Sequence, residues 1–298
     1  MFSYASAMAA LRSLQRRYAF IACRPIGTTE YGRELTHVRI GCGRRRVLLT
    51  AAHHANEWIT ALVLLAFLED YAAAFAAGQP LWGIPTRMLY REVTLSVVPL
   101  VNPDGVDLVT GAVCPASRQY SRARAIAAAF PQTPFPSGWK ANACGVDLNL
   151  NYPAGFAQAV QIKRALGFDR PAPCNWPGRT PLDQRETAAL AALTEKLSPH
   201  CTVALHTQGQ EIYWRYGDYA DPAAQALGEQ MADASGYSLT HPAPSSANAG
   251  FKDWFIARFA RPGFTVEAGL GQNPLPLTQL PEIYHHVLPI LCLAMTGG

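Results

Sequence analysis

The sequence predicts an α/β fold, one domain built on a mixed, mostly parallel sheet with helices on both faces. Short apolar β-type runs alternate with longer segments of helical spacing. The run 93–100 is β-branched and apolar on both faces, as a strand covered on both sides must be. Several apolar runs stop at polar residues: His53 and His54, Asn102 and Asp104, His206, and Glu267. Open α/β sheets bind ligands at the carboxyl ends of their strands.

Residues 5–19 place arginines at helical spacing in an apolar background, so 1–22 is read as an N-terminal helix packed on the domain. Residues 35–40 and 46–52 are expected strands joined by a turn at 41–43. From 57 to 75 the apolar residues Ile59, Leu62, Val63, Ala66, Phe67 and Tyr71 follow helical spacing, which predicts a long helix. The sequence NPDG after 93–100 reads as a turn, with Asp104 as turn former. Residues 111–140, rich in Arg, Ala, Pro and Gly, read as an insertion over the sheet. Helices are expected at 181–197, 221–235, 252–260 and 280–295, and strands at 202–205 and 263–267. No repeat or low-complexity linker divides the chain, so 1–298 is read as one domain.

Of the 298 residues, 49% are hydrophobic and 15% charged, a composition that can bury a large core. The net charge is +4 and the basic residues form short clusters at 44–46 and 118–124. These read as solvated surface and argue against a nucleic-acid partner. The longest apolar runs, 61–68 and 287–295, fall short of the roughly 18–20 residues that span a bilayer. The N-terminus lacks the basic start and long apolar centre of a secretion signal. A cytoplasmic location is the default expectation, with a spore or wall location open. The seven cysteines contain no C-x-x-C pair and need no disulfide scaffold. Cys201 and Cys292 lie in apolar runs and read as inert core thiols.

The chemistry centres on VLLTAAHHANEWIT, residues 47–60. His54 and Glu57 stand three apart at the mouth of an expected strand, a spacing that puts two side chains on one side of the backbone. Imidazole nitrogen and carboxylate oxygen both ligate Zn²⁺, and His206 supplies a third donor. Three protein ligands with one open position is the catalytic zinc arrangement, and Glu267 is left as proton carrier. Taken alone, His54 and Glu57 could equally cap a turn. His53 reads as a packing neighbour. His285 and His286 point to different sides of a helix, and His37, His200 and His241 show no partner pattern.

The motifs HHANEWIT, NPDG, WKAN with GVDLNLNYP, ALHTQ, AGFKDW and FTVEAG occur in the order found in zinc carboxypeptidases. The chain resembles that family from about residue 26 to 293. Within it, AHHANEWIT, VDLNLNYPAGF, LHTQGQEIYW, FKDWFI and RPGFTVEAGLGQNPLP resemble the bacterial γ-D-glutamyl-diamino-acid endopeptidases, which cut peptidoglycan stem peptides between D-glutamate and diaminopimelate. The resemblance implies one zinc per chain on His54, Glu57 and His206, with Glu267 as general base and acid. It makes Asp147 the acceptor for the first zinc histidine, fixing its ring and tautomer. It puts Lys140 where digestive carboxypeptidases carry an arginine that steadies the oxyanion; lysine supplies the charge without the two-pronged donor.

The departures from the digestive enzymes bear on the substrate. They have NRN where this chain has Asn149-Leu150-Asn151, and Leu150 cannot clamp a terminal carboxylate. Asn56 stands where their zinc motif carries arginine, and Ser245 aligns roughly with the tyrosine of their mobile loop. Lys252 falls at the floor of the specificity pocket and suits an anionic group on the leaving side, such as the distal carboxylate of diaminopimelate. Asn56, Asn149, Leu150 and Lys252 are therefore the expected substrate-binding residues; for Lys140 and Lys252 the alternative is a solvated surface lysine. Cys144 and Cys174 lie near where some relatives hold a disulfide, with two free thiols as the other reading. The expectation is a zinc metallopeptidase acting on peptidoglycan-derived peptides, without a wall-binding repeat. The alternatives are a metallocarboxypeptidase for another modified C-terminus and an inactive wall-peptide binding module.

Overall fold

The computed structural model describes residues 2–297. Helix α1 (Tyr4–Arg17) opens with a capping box in which Ser3 and Ser6 satisfy one another's backbone amides. Strands β1 (Ala22–Thr28) and β2 (Glu34–Ile40) pair antiparallel, with an irregularity between Pro25 and Gly27. Proline lacks the N–H a ladder needs, which confines this strand to the sheet edge. Strand β3 (Arg45–Ala51) leads into helix α2 (Ile59–Ala77). A small hairpin follows, β4 (Pro80–Leu81) and β5 (Ile84–Pro85), then α3 (Thr86–Glu92), β6 (Val93–Val98), α4 (Pro103–Val109), α5 (Arg118–Ala127) and α6 (Phe156–Ala165). The remainder alternates: α7 (Arg185–Leu197), β7 (Cys201–His206), β8 (Glu211–Tyr213), α8 (Pro222–Ser235), β9 (Ser238–Thr240), α9 (Phe251–Phe259), β10 (Gly263–Glu267) and α10 (Leu280–Thr296).

The main sheet has eight strands in the order β1-β2-β6-β3-β7-β10-β8-β9. Its centre, β6-β3-β7-β10, is parallel, while β2 meets β6 and β8 meets β10 antiparallel. Side chains on a strand alternate between faces, and both faces here are covered. Val47 and Leu49 of β3 enter the larger apolar core beneath α2 and α10, and Leu48 between them enters the smaller core with Tyr152, Phe251 and Trp254. Val203, Leu205 and Ala204 of β7 divide the same way.

Some expectations change. NPDG is not a free turn but the start of α4: Asn102 is the N-cap, its side chain accepting from the Gly105 amide, and Pro103 takes the first turn. Asp104 is fully buried, paired with Arg33 and accepting from the Tyr31 amide. Arg45 and Arg46 are half-buried, Arg46 donating to the Ser198 carbonyl, so the cluster at 44–46 is not simply solvated. Helix α2, at 19 residues, is long and apolar enough to cross a membrane by composition, beyond what the run 61–68 implied. In this fold it packs against β3, α1 and α10 as a core helix.

Candidate active site

Three strand ends assemble the site. After β3 the chain turns through Ala52, a non-glycine residue at φ 53°, and delivers His54 and Glu57 on a short 3₁₀ turn. Thr60 ties this turn down, its hydroxyl donating to the Glu57 carbonyl and accepting from the Ala52 amide. His206 ends β7, and Glu267 ends β10 directly opposite it in the parallel ladder. Asn102 braces the arrangement from α4 by donating to the carbonyls of His53 and Ala141.

The donor atoms converge. His54 Nδ1 and His206 Nδ1 lie 3.2 Å apart, and each is 2.9 Å from a Glu57 carboxylate oxygen. The three side chains each offer one ligand atom within 4.8 Å of the others. His54 Nε2 sits 3.0 Å from Asp147 Oδ1, an arrangement that keeps the proton on Nε2 and leaves Nδ1 its lone pair. Two imidazole nitrogens and a carboxylate aimed at one point form a donor set that fits zinc.

Burial alone would raise the Glu57 carboxyl; His54 and Lys140 beside it, with a hydrogen bond from His206, hold it well below the usual carboxylate range. Asp147 is likewise buried and held low by His54, its bonded partner. Lys140 Nζ lies 3.0 Å from Glu57 Oε1, and this neighbour and Asp147 hold the ammonium above its ordinary value despite burial. Glu267 behaves oppositely. Burial pushes its carboxyl up, and His206 offsets only part of that. A carboxyl pushed up beside a set of metal donors is poised to carry a proton.

A cavity of ≈510 Å³ opens over these groups. A family model described as zinc carboxypeptidase matches residues 7–287. The chain belongs to the zinc carboxypeptidase family. It is 38% identical over 289 residues to gamma-D-glutamyl-L-diamino acid endopeptidase 1 of Lysinibacillus sphaericus, covering 97% of this chain and 71% of that protein. It is 36% identical to YqgT of Bacillus subtilis, over 93% of this chain and 73% of that one. By shape it resembles a chain in the structure of bovine thrombin-activatable fibrinolysis inhibitor with tick carboxypeptidase inhibitor. That match has a TM-score of 0.74 at 16% identity and covers 99% of this chain and 96% of that one.

In this member of the zinc carboxypeptidase family, His54, Glu57 and His206 cluster as a potential metal-binding site. His54, Glu57, Lys140, Asp147, Asn149, Leu150, Lys252 and Glu267 all line the cavity. Asn56 does not. It is buried in the 3₁₀ turn, outside the lining. Lys252 is no surface lysine: it is buried, its Nζ donating to the Arg215 carbonyl and paired with Asp253. Asn149 Oδ1 accepts from the Phe251 amide and so fixes the start of α9. His53 packs against His206 and Phe251 and meets the Tyr152 hydroxyl at 3.2 Å, as a neighbour and not a ligand. Cys144 and Cys174 are free thiols.

The sequence reading missed Thr207, Asn273, Lys163 and Asn175. The Thr207 amide donates to Glu57 Oε2, and Asn273 grips Thr207 through hydroxyl and carbonyl. Lys163 comes from α6 and donates to Asn175 Oδ1, whose own amide donates to Asp147 Oδ2. Lys163 shares the buried face of α6 with Ala159, four residues earlier.

Proposed function

We propose that this zinc metallopeptidase hydrolyses the γ-D-glutamyl–diamino-acid bond of peptidoglycan stem peptides or the muropeptides derived from them. The cavity lining carries the reading. His54 and Glu57 of the metal donors share it with Glu267, Lys140 and Lys252, while Leu150 occupies the place where a clamp for an ordinary C-terminus would need a guanidinium. The name of the Lysinibacillus relative, a gamma-D-glutamyl-L-diamino acid endopeptidase, supports the same bond.

His54 Nδ1, Glu57 and His206 Nδ1 would hold the zinc, and Asp147 keeps the first imidazole in the ligating tautomer. Zinc bound there supplies Lewis acidity, polarising a carbonyl and acidifying water. Glu267 accepts a proton from the attacking water and returns it to the departing amine nitrogen. Lys140 places a fixed positive charge at the mouth of the cluster, where charge develops on the carbonyl oxygen; such donors contribute about 3–4 kcal/mol each. The test is mass spectrometry of products from Ala-γ-D-Glu-diaminopimelate, its lysine analogue, and the α-linked isomer. Release of free diaminopimelate from the γ-linked peptide alone is expected. Equal cleavage of the α-linked isomer would sink the proposed bond specificity.

A further inference from the structure

Three lysines line the cavity among the described residues, and they differ in how their charge is met. Lys140 faces Glu57, and Lys252 faces Asp253. Lys163 has neither arrangement. Its side chain is on the buried face of α6, the residue is only 5% exposed, and its Nζ has a single bonded partner, the neutral amide oxygen of Asn175 at 2.8 Å. Burial pulls its pKa down, and the Asp147 carboxylate offsets only part of that. An ammonium is expensive to bury without an anion to meet it. Here it stands at the wall of a substrate cavity whose other lining atoms include Leu150, Asn149 and Cys174.

We propose that Lys163 captures a carboxylate of the bound peptide, supplying from α6 the cation that Leu150 does not. The inference rests on the peptidase reading above, because a γ-D-glutamyl–diaminopimelate peptide brings two carboxylates beside its scissile bond. These are the α-carboxylate of D-glutamate on the acyl side and a diaminopimelate carboxylate on the amine side. Both present the same chemistry to an ammonium with an open donor direction. A lysine suits either, as a point charge with three rotatable donors.

The experiment uses the zinc-loaded protein and three peptides: Ala-γ-D-Glu-diaminopimelate, the same peptide with the glutamate α-carboxylate as carboxamide, and the same peptide with a diaminopimelate carboxylate as carboxamide. Binding is read by titration calorimetry in a Glu267→Gln background, and cleavage by chromatography with Glu267 intact. One carboxamide is expected to bind on the order of tenfold to a hundredfold more weakly than the free acid, as loss of a charge-assisted bond predicts. Which one it is names the carboxylate. Lys163→Met should bind that carboxamide and the free acid alike, and Lys163→Arg should restore the preference. The proposal is overturned if Lys163→Met keeps the preference, or weakens all three peptides equally, as a lysine that merely steadies Asn175 and Asp147 would. Melting curves of both variants separate misfolding from either result, and the arginine variant carries the comparison if the methionine variant does not fold. Binding without cleavage by the Glu267-intact protein refutes the peptidase reading and leaves the Lys163 comparison readable. No binding of any peptide overturns both.

Discussion

Glu267 is the side chain on which turnover should depend most, because burial pushes its carboxyl up while the donors of the metal cluster lie across the ladder. Glu267→Gln removes the proton carrier and keeps the volume. That variant is expected to retain zinc, measured by atomic absorption, and to lose roughly 10²–10⁴ in kcat, the usual worth of a positioned acid or base. Wild-type turnover in it would remove Glu267 from the chemistry. The metal-donor cluster was legible in the sequence because His54 and His206 come at the ends of apolar runs and Glu57 follows His54 by three. Lys163, Asn175, Thr207 and Asn273 were not, because loops and a helix later in the chain bring them to the cavity. Lys252 was legible in place but not in state: nothing in AGFKDW foretells that Asp253 and the Arg215 carbonyl would absorb its charge.

At the scale of elements, α4 is the brace of the site, and its fit depends on Gly105. A Cβ there would meet the Ala141 carbonyl oxygen at 2.6 Å, Asn102 Oδ1 at 2.7 Å and the Ala55 Cβ at 2.8 Å. Ala55 follows His54, and Ala141 follows Lys140, so α4 touches both active-site segments at once. Gly105→Ala should therefore cost about 1–3 kcal/mol in urea unfolding and weaken zinc binding in the same variant. A variant of unchanged stability and zinc affinity would mean that α4 does not hold the site. Reading NPDG as a turn missed this, because the dipeptide signals of a turn and of a helix start overlap; the N-cap bond to Gly105 decides between them. The long helices and central strands were clear from periodicity. The edge strands β1 and β9, and β8 beside β9, were not, being short or half-exposed and so lacking a continuous apolar run.

For the whole molecule, pH should act on stability through Glu186. It is 1% exposed; among the described residues Oε1 has no partner, and Oε2 accepts from Asn142 at 3.3 Å. Burial, with Asp104 nearby, raises its pKa to about 7. In the unfolded chain a glutamate titrates near about 4.3. The folded state therefore prefers the protonated form: the contribution is fully present below pH ~4.3 and lost as pH rises through 7. Glu186→Gln should match the wild type in melting temperature at pH 4.5 and exceed it at pH 8. Equal melting at both would show that the carboxyl is not carried as read. The register of the sheet has a wider consequence. Glu267 and His206 are fixed as facing partners on one rung of the backbone ladder, whereas Lys163 and Lys252 stand on two helices around it. On the proposed reading, bond-breaking and substrate choice are separable modules. An engineer could exchange the flanking cations to retarget the enzyme while leaving its hydrolytic engine alone.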